Sequence, residues 1–335
     1  MENRVLAISE CIRPDMYVAV RLRGVFRYDL RNFSREHMHC TVSIASVAEF
    51  SKNCAVLFTA GPGYVRMENV KPPRKYWHRP VNMFDAVAIG VSGDASRVIV
   101  GATDGAVFVL DSKEGKILHA LNIVVPRMRA EMPRMPTAVG LNHNGNLAFV
   151  TSVAHGVIRL ELGSSVAVVY QDPSGEATQA TALHVRSGDI LISGEANGMI
   201  HLSDSDGDMW RYGSFHADLA RGQNTPITCI AHKGPLHILV GMANGRTLLY
   251  SIATFTDHNG GARQIRQKQE CSVHEDLDLP MPVSKVAFCC AVGDFAVACG
   301  DTFTIYHLGK KMIRDSFTPV PAPNFIAWLL RSIFH

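Results

Sequence analysis

The stretch "GATDGAVFVLD", residues 101–111, sets the dipeptide Asp104-Gly105 between two apolar runs, "RVIVGAT" before it and "AVFVLD" after it. Asp-Gly tolerates positive φ at little cost and favours a tight hairpin, so the stretch reads as two antiparallel strands. The pattern recurs. "RLRGVFRYDL" carries Gly24, "TAGPGYVRMENV" Gly63, "TSVAHGVIRLEL" Gly156, "SGEANGMIHLSD" Gly198, "VGMANGRTLLYS" Gly245, and "VACGDTFTIYHL" Gly300-Asp301. Each hairpin is preceded by another strand and turn, as in "TAVGLNHNGNLAFVTS", "ATALHVRSGDILISGE" and "VSKVAFCCAVGDFAVACG". A looser fourth segment follows, such as "GKILHAL", "SVAVVYQD" or "KKMIRDSF".

The unit is therefore four short strands over about 40 residues, repeated seven times along the chain. Unpaired sheet edges invite unwanted association, and a radial array of four-stranded blades leaves only short, protected ones. The expectation is an all-β, seven-bladed β-propeller of four-stranded antiparallel blades, a single domain over residues 1–318. The blades fall near 4–39, 40–80, 82–121, 134–171, 177–216, 224–273 and 282–317, and a tail at 319–335 holds a short apolar helix. The first blade opens on "RVLAIS" and the seventh ends on "KKMIRDSF", so the last blade is expected to close from its own C-terminal segment.

These units resemble WD40 repeats, most clearly in "VAIGVSGDASRVIVGATDGAVFVLDSKEGKILHAL", residues 87–121, and the resemblance runs over residues 4–317. It is divergent. The Trp-Asp that ends strand c in the family is absent, with Tyr28-Asp29 and Leu110-Asp111 nearest to it. The family's turn aspartate matches Asp104 and Asp301, and His119 stands near the place of the Gly-His dipeptide. The resemblance implies a rigid disc whose top face, side grooves and rim bind peptides or other subunits, without catalysis or cofactor. "GVFRYDL" is similar to the first blade of the mitotic-checkpoint and mRNA-export propellers, in which a partner's short helical motif lies across the disc face. The paired-arginine "FRRG"-type motif of phosphoinositide-binding propellers is missing.

Composition sets the outer bounds. Of 335 residues 47% are apolar and 19% charged, and the net charge is only +3, which describes a folded chain rather than a nucleic-acid-binding arm. The eight cysteines (11, 40, 54, 229, 271, 289, 290, 299) form no CxxC pair, so neither a zinc site nor a disulfide framework is indicated. "MENRVLAISECIRPDMY" has no apolar signal core, and no run reaches the roughly 20 apolar residues of a membrane span. The expectation is an intracellular protein, cytoplasmic or nuclear.

Candidate contacts lie where the sequence departs from the repeat. "KPPRKYWHRP", residues 71–80, interleaves Arg74 and Lys75 with Tyr76 and Trp77 between the second and third blades. Such a loop meets phosphates and stacks on bases, or else is solvated with its aromatics packed on the rim. "NIVVPRMRAEMPRMP", residues 122–136, offers Arg127, Met128, Arg129, Met132, Arg134 and Met135, a mix suited to pliable interfaces, or simply a long connection. In the tail, Phe325, Trp328, Leu329 and Ile333 make a short helix apolar on most of its circumference, which must be buried on the propeller, a partner or a bilayer surface. The acidic "HEDLDLP", residues 274–280, reads as a solvated linker, and His37 with His39 as the one tight histidine group. No catalytic residue, metal site or cofactor is read from the sequence. The expected role is a non-catalytic protein-interaction scaffold in a multi-protein complex. Nucleic acid is the lesser alternative, a membrane surface comes last, and no small-molecule substrate is expected.

Overall fold

The computed structural model describes residues 4–9, 15–32, 34–38, 45–70, 74–122, 136–152, 156–163, 166–171, 180–185, 190–204, 213–217, 224–233, 237–254, 263–272, 281–289, 294–307 and 310–317. They form seven four-stranded sheets. Blade 1 takes β1 (Val5–Ile8), β2 (Asp15–Val20), β3 (Gly24–Asp29) and β4 (Ser34–Met38). Blade 2 is β5 (Val47–Phe50), β6 (Val56–Gly61), β7 (Tyr64–Asn69) and β8 (Arg74–Pro80). Blade 3 follows with β9 (Ala86–Val91), β10 (Arg97–Ala102), β11 (Ala106–Asp111) and β12 (Ile117–Asn122). In blade 4 the strands are β13 (Pro136–Leu141), β14 (Leu147–Ser152), β15 (Gly156–Leu162) and β16 (Val166–Gln171). Blade 5 has β17 (Ala180–Val185), β18 (Ile190–Glu195), β19 (Met199–Asp204) and β20 (Gly213–His216). Blade 6 has β21 (Ile227–Lys233), β22 (His237–Met242), β23 (Arg246–Thr254) and β24 (Arg263–Ser272). Blade 7 ends the ring with β25 (Lys285–Phe288), β26 (Asp294–Cys299), β27 (Thr302–His307) and β28 (Lys310–Ser316). Within each blade the strands pair in chain order, hereafter a to d.

Strands in a propeller are buried on both faces, and side chains alternate between those faces. Strand b of blade 3 shows the result. Val98 and Val100 pack with Phe58, Ala60 and Val65 of blade 2, while Ile99 packs with Val139, Ala148 and Val150 of blade 4. One short apolar run thus serves two interfaces. Between b and c, the glycines of all seven repeats (24, 63, 105, 156, 198, 245 and 300) have φ between 59° and 90°. In blades 3, 5 and 6 the preceding side chain locks the turn. Asp104 accepts from the Ala106 amide at 3.0 Å, Asn197 from Met199 at 2.8 Å, and Asn244 from Arg246 at 3.1 Å.

Strand a carries a device that the sequence reading did not see. Its pairing with strand b shifts by one residue near its start in blades 1, 3, 4, 5 and 6, leaving Leu6, Val87, Thr137, Thr181 and Thr228 as the extra residues of a bulge. Several of these side chains return to the neighbouring strand. Thr181 donates to the Gly194 carbonyl at 3.2 Å and Thr228 to Gly241 at 3.0 Å, while Thr137 meets the Thr151 hydroxyl at 2.8 Å. Ser284, just ahead of β25, donates to the Ala298 carbonyl at 3.1 Å. A bulge sharpens local twist, which suits the innermost strand of a blade.

The ring closes as expected, with β25 to β28 all drawn from the last repeat. Among the described residues no strand is exchanged between the first and last blades. Their junction is an apolar seam in which Val18, Phe26 and Tyr28 of blade 1 pack on Ala298, Phe303 and Phe317 of blade 7. The Tyr28 ring lies 5.0 Å from Phe303 and the Phe26 ring 4.9 Å from Phe317. The Val5 amide crosses the seam to the Gly300 carbonyl at 3.0 Å.

Candidate partner-binding surface

One sequence expectation needs correcting. Residues 74–80 are not a loop outside the repeat but β8, the edge strand of blade 2, paired along β7. Arg74 and Lys75 open that strand. Trp77 and Arg79 are committed to the next blade. The Trp77 indole N–H donates to the Ser112 carbonyl at 2.7 Å, and Arg79 Nε donates to the Gly115 carbonyl at 2.7 Å. A β-carbon on Gly115 would stand 2.7 Å from the indole ring, so only glycine lets the ring seat there. These side chains staple blade 2 to the c–d turn of blade 3. Tyr76 is the extra residue of a strand-d bulge and is 57% exposed, and Leu118 holds the same bulged position in β12 at 37%. Bulges of this kind blunt an edge against further pairing.

The expected contacts at Arg127, Met128, Arg129, Met132, Arg134 and Met135 lie outside the described residues, as do Phe325, Trp328, Leu329, Ile333 and the tail helix. Sequence reasoning passed over Phe84. It stands in the connection between blades 2 and 3 and is 79% exposed, and Met281, between blades 6 and 7, is 38% exposed. Connections from d to a share a disc face with the b–c turns, as the 2.9 Å bond from the Val81 amide to the Gly63 carbonyl shows. The apolar run "VNMF" reads as core by composition, so no local signal marked Phe84 as outward.

Around the disc, polar side chains largely satisfy one another. Arg27 holds Asp15 and Glu36, each at 2.9 Å, and these bonds raise its pKa further above an already high value. The exposed Arg31 holds the half-buried Asp29 carboxylate down at about 2 through its side-chain hydrogen bonds. Arg66 pairs with Glu68, and the buried Glu195 faces His201 Nε2 at 2.8 Å. His37 Nε2 donates to the Arg23 carbonyl at 2.7 Å, and its ring lies 4.9 Å from Phe26, while His39 and Cys40 lie outside the described residues. His119 is pushed below its usual value by burial, with Arg97 adding to the effect. Among the described residues no group of three or more His, Cys, Asp or Glu side chains is placed to hold a metal.

Down the axis, the a strands of all seven blades line a channel of about 550 Å³. Small apolar residues alternate with polar surface along its wall, and Lys52, Lys233, Lys285, His143, His232 and Glu49 are its titratable side chains beside Cys229. Lys233 Nζ donates to the Cys289 carbonyl across the junction of blades 6 and 7.

No protein-family model matches the chain, and no curated protein matches it in sequence. Solved structures do. The β-propeller domain of Cps50 (Swd1) from Myceliophteria thermophila superposes with a TM-score of 0.66 at 13% identity, over 82% of this chain and 88% of that one. A chain from the crystal structure of the Mitotic Checkpoint Complex superposes with a TM-score of 0.67 at 11% identity, over 92% of each chain. At such identities the likeness is one of architecture, and in fold the chain is a seven-bladed β-propeller.

Proposed function

We propose that the chain is a non-catalytic scaffold, a single propeller over residues 1–318 that holds protein partners within a multi-protein complex of the cytoplasm or nucleus. The observation that carries this reading is Phe84, an aromatic side chain 79% exposed on the disc face of the b–c turns. An isolated exposed aromatic of this size is the kind of anchor that dominates interface energy. The structural likeness to a chain of the Mitotic Checkpoint Complex supports the same reading and favours a variant of it, in which a partner's short helical motif crosses that face. Further contacts are assigned to Arg74, Lys75 and Tyr76 on the rim, to the Met/Arg segment 122–136, and to the tail. A basic-rim reading for nucleic acid is weakened, because Trp77 and Arg79 are spent on blade 3.

The test is affinity purification of three forms from native cells at matched expression: the full chain, a form ending at Phe317, and Phe84→Ser. Co-purifying proteins are quantified at low and moderate salt. A defined partner set lost from Phe84→Ser places docking on the disc face, and a set lost on truncation places it at the tail. If no protein co-purifies stably, or only salt-sensitive nucleic acid does, the scaffold reading falls. Surface substitutions away from core features cost within about 0.5 kcal/mol, so an unchanged melting temperature for Phe84→Ser separates lost binding from lost folding.

A further inference from the structure

Where arginines meet carboxylates in blades 1, 2 and 4, the charges neutralise one another at short range, as Arg27 does with Asp15 and Glu36. The central channel departs from that rule. Its described lining holds Lys52, Lys233 and Lys285 against one carboxylate, Glu49. Among the described lining residues, three ammonium groups less one carboxylate leave two positive charges in surplus, before His143 or His232 is counted. The Cys229 thiol offers no compensation, since burial pushes its pKa up to about 12 and keeps it protonated.

The placement of Lys285 sharpens the point. It occupies the strand-a position that follows the bulge in blades 1, 3, 4, 5 and 6, where the other blades carry Ala7, Val47, Ala88, Ala138, Ala182 and Cys229. Lys285 and all of these residues but Ala7 line the channel, and Lys285 alone among them is long and cationic. Lys233 uses one of its donors on the Cys289 carbonyl, and an ammonium has three. Charges of one sign in a low-dielectric cleft add their fields and concentrate counter-ions. Lysines act as compact, rotatable point charges, which suits several separate phosphate groups better than one planar carboxylate.

We propose that the central channel binds a compact polyanion bearing clustered phosphates, with Lys52, Lys233 and Lys285 as its donors. This site is distinct from the partner surface and does not rest on the scaffold reading. The probe is inositol hexakisphosphate, titrated calorimetrically into the full chain at low and moderate salt. The expected result is saturable one-to-one binding that weakens with salt and raises the melting temperature. Lys285→Ala and Lys233→Ala each weaken it about tenfold, the usual loss of one charge-assisted hydrogen bond. Lys285→Met does the same while keeping the apolar stem, and Arg74→Ala on the rim changes nothing. Vesicles containing phosphatidylinositol 4,5-bisphosphate identify the source. Capture with the same Lys285 dependence assigns the phosphates to a lipid headgroup, and no capture assigns them to a soluble polyanion. Absence of saturable binding overturns the proposal. So does undiminished binding by a Lys52→Ala/Lys233→Ala/Lys285→Ala variant whose melt matches the parent, or binding lost with Arg74→Ala instead.

Discussion

Phe303 is where ring closure is most open to test. It is fully buried on strand c of blade 7, with its ring 5.0 Å from Tyr28 of blade 1. Truncation to alanine removes a core aromatic, at a cost of about 3–5 kcal/mol where the site cannot collapse. The lost ring pair adds ~0.5–1.5 kcal/mol. Phe149 is the matched control, equally buried where blade 4 meets Leu191 of blade 5. Blades 4 and 5 are joined by the chain itself, whereas among the described residues no segment of chain crosses from blade 7 to blade 1. Both variants should therefore lose similar stability in denaturant, but only Phe303→Ala should open its interface in the native state. At tenfold per 1.4 kcal/mol, a total of about 3.5–6.5 kcal/mol accelerates amide exchange at the seam by roughly 300- to 40,000-fold. The reporters are the Val5 amide, bound to the Gly300 carbonyl, and the Phe317 amide, bound to the Asp301 carbonyl, read by hydrogen–deuterium exchange. If those amides stay as protected in Phe303→Ala as the strands of blade 4, or if Phe149→Ala frees them equally, the seam does not close the ring as argued.

Three further outcomes are expected. Gly105→Ala, at φ +87°, should cost about 1–2 kcal/mol by denaturant titration, and Gly105→Asn less, because asparagine tolerates positive φ better. Trp77→Phe keeps the ring on Gly115 but loses the bond to the Ser112 carbonyl, and should cost about 1–2 kcal/mol. Loss of partner capture with no change in stability would instead show that the indole faces a ligand. The Cys299 thiol is raised by burial from about 9 to about 12, so the folded state favours the protonated form. That contribution is intact below pH 9 and lost as pH rises towards 12, and mass-spectrometric labelling at pH 8 should modify Cys299 only as fast as the chain unfolds.

The seven b–c turns were legible because a glycine forced to positive φ leaves a fixed mark in sequence, and each such glycine proved to hold that conformation. The strand-a bulges were not legible, since leucine, valine or threonine at the bulged position serves a regular strand equally well and declares nothing about register. β8 was misread for a related reason. Its basic and aromatic residues look like a solvated loop, yet an edge strand needs only one face apolar, and Trp77 supplies it by packing near Phe58. Lys285 escaped notice because a single lysine carries no motif. Only the ring geometry, which lines it up with six small residues, gives its charge a setting.

Because each blade takes its four strands from consecutive sequence, no blade waits for a distant segment. During synthesis at ~5–20 residues per second, one sheet after another is completed within seconds of leaving the ribosome. Each new sheet covers the apolar flank left bare by the last. A ring sealed by strand exchange would keep its final blade unfinished until both chain ends had met. Here the last event is the docking of two finished faces, with Phe26 and Tyr28 held bare throughout translation until Phe303 and Phe317 arrive.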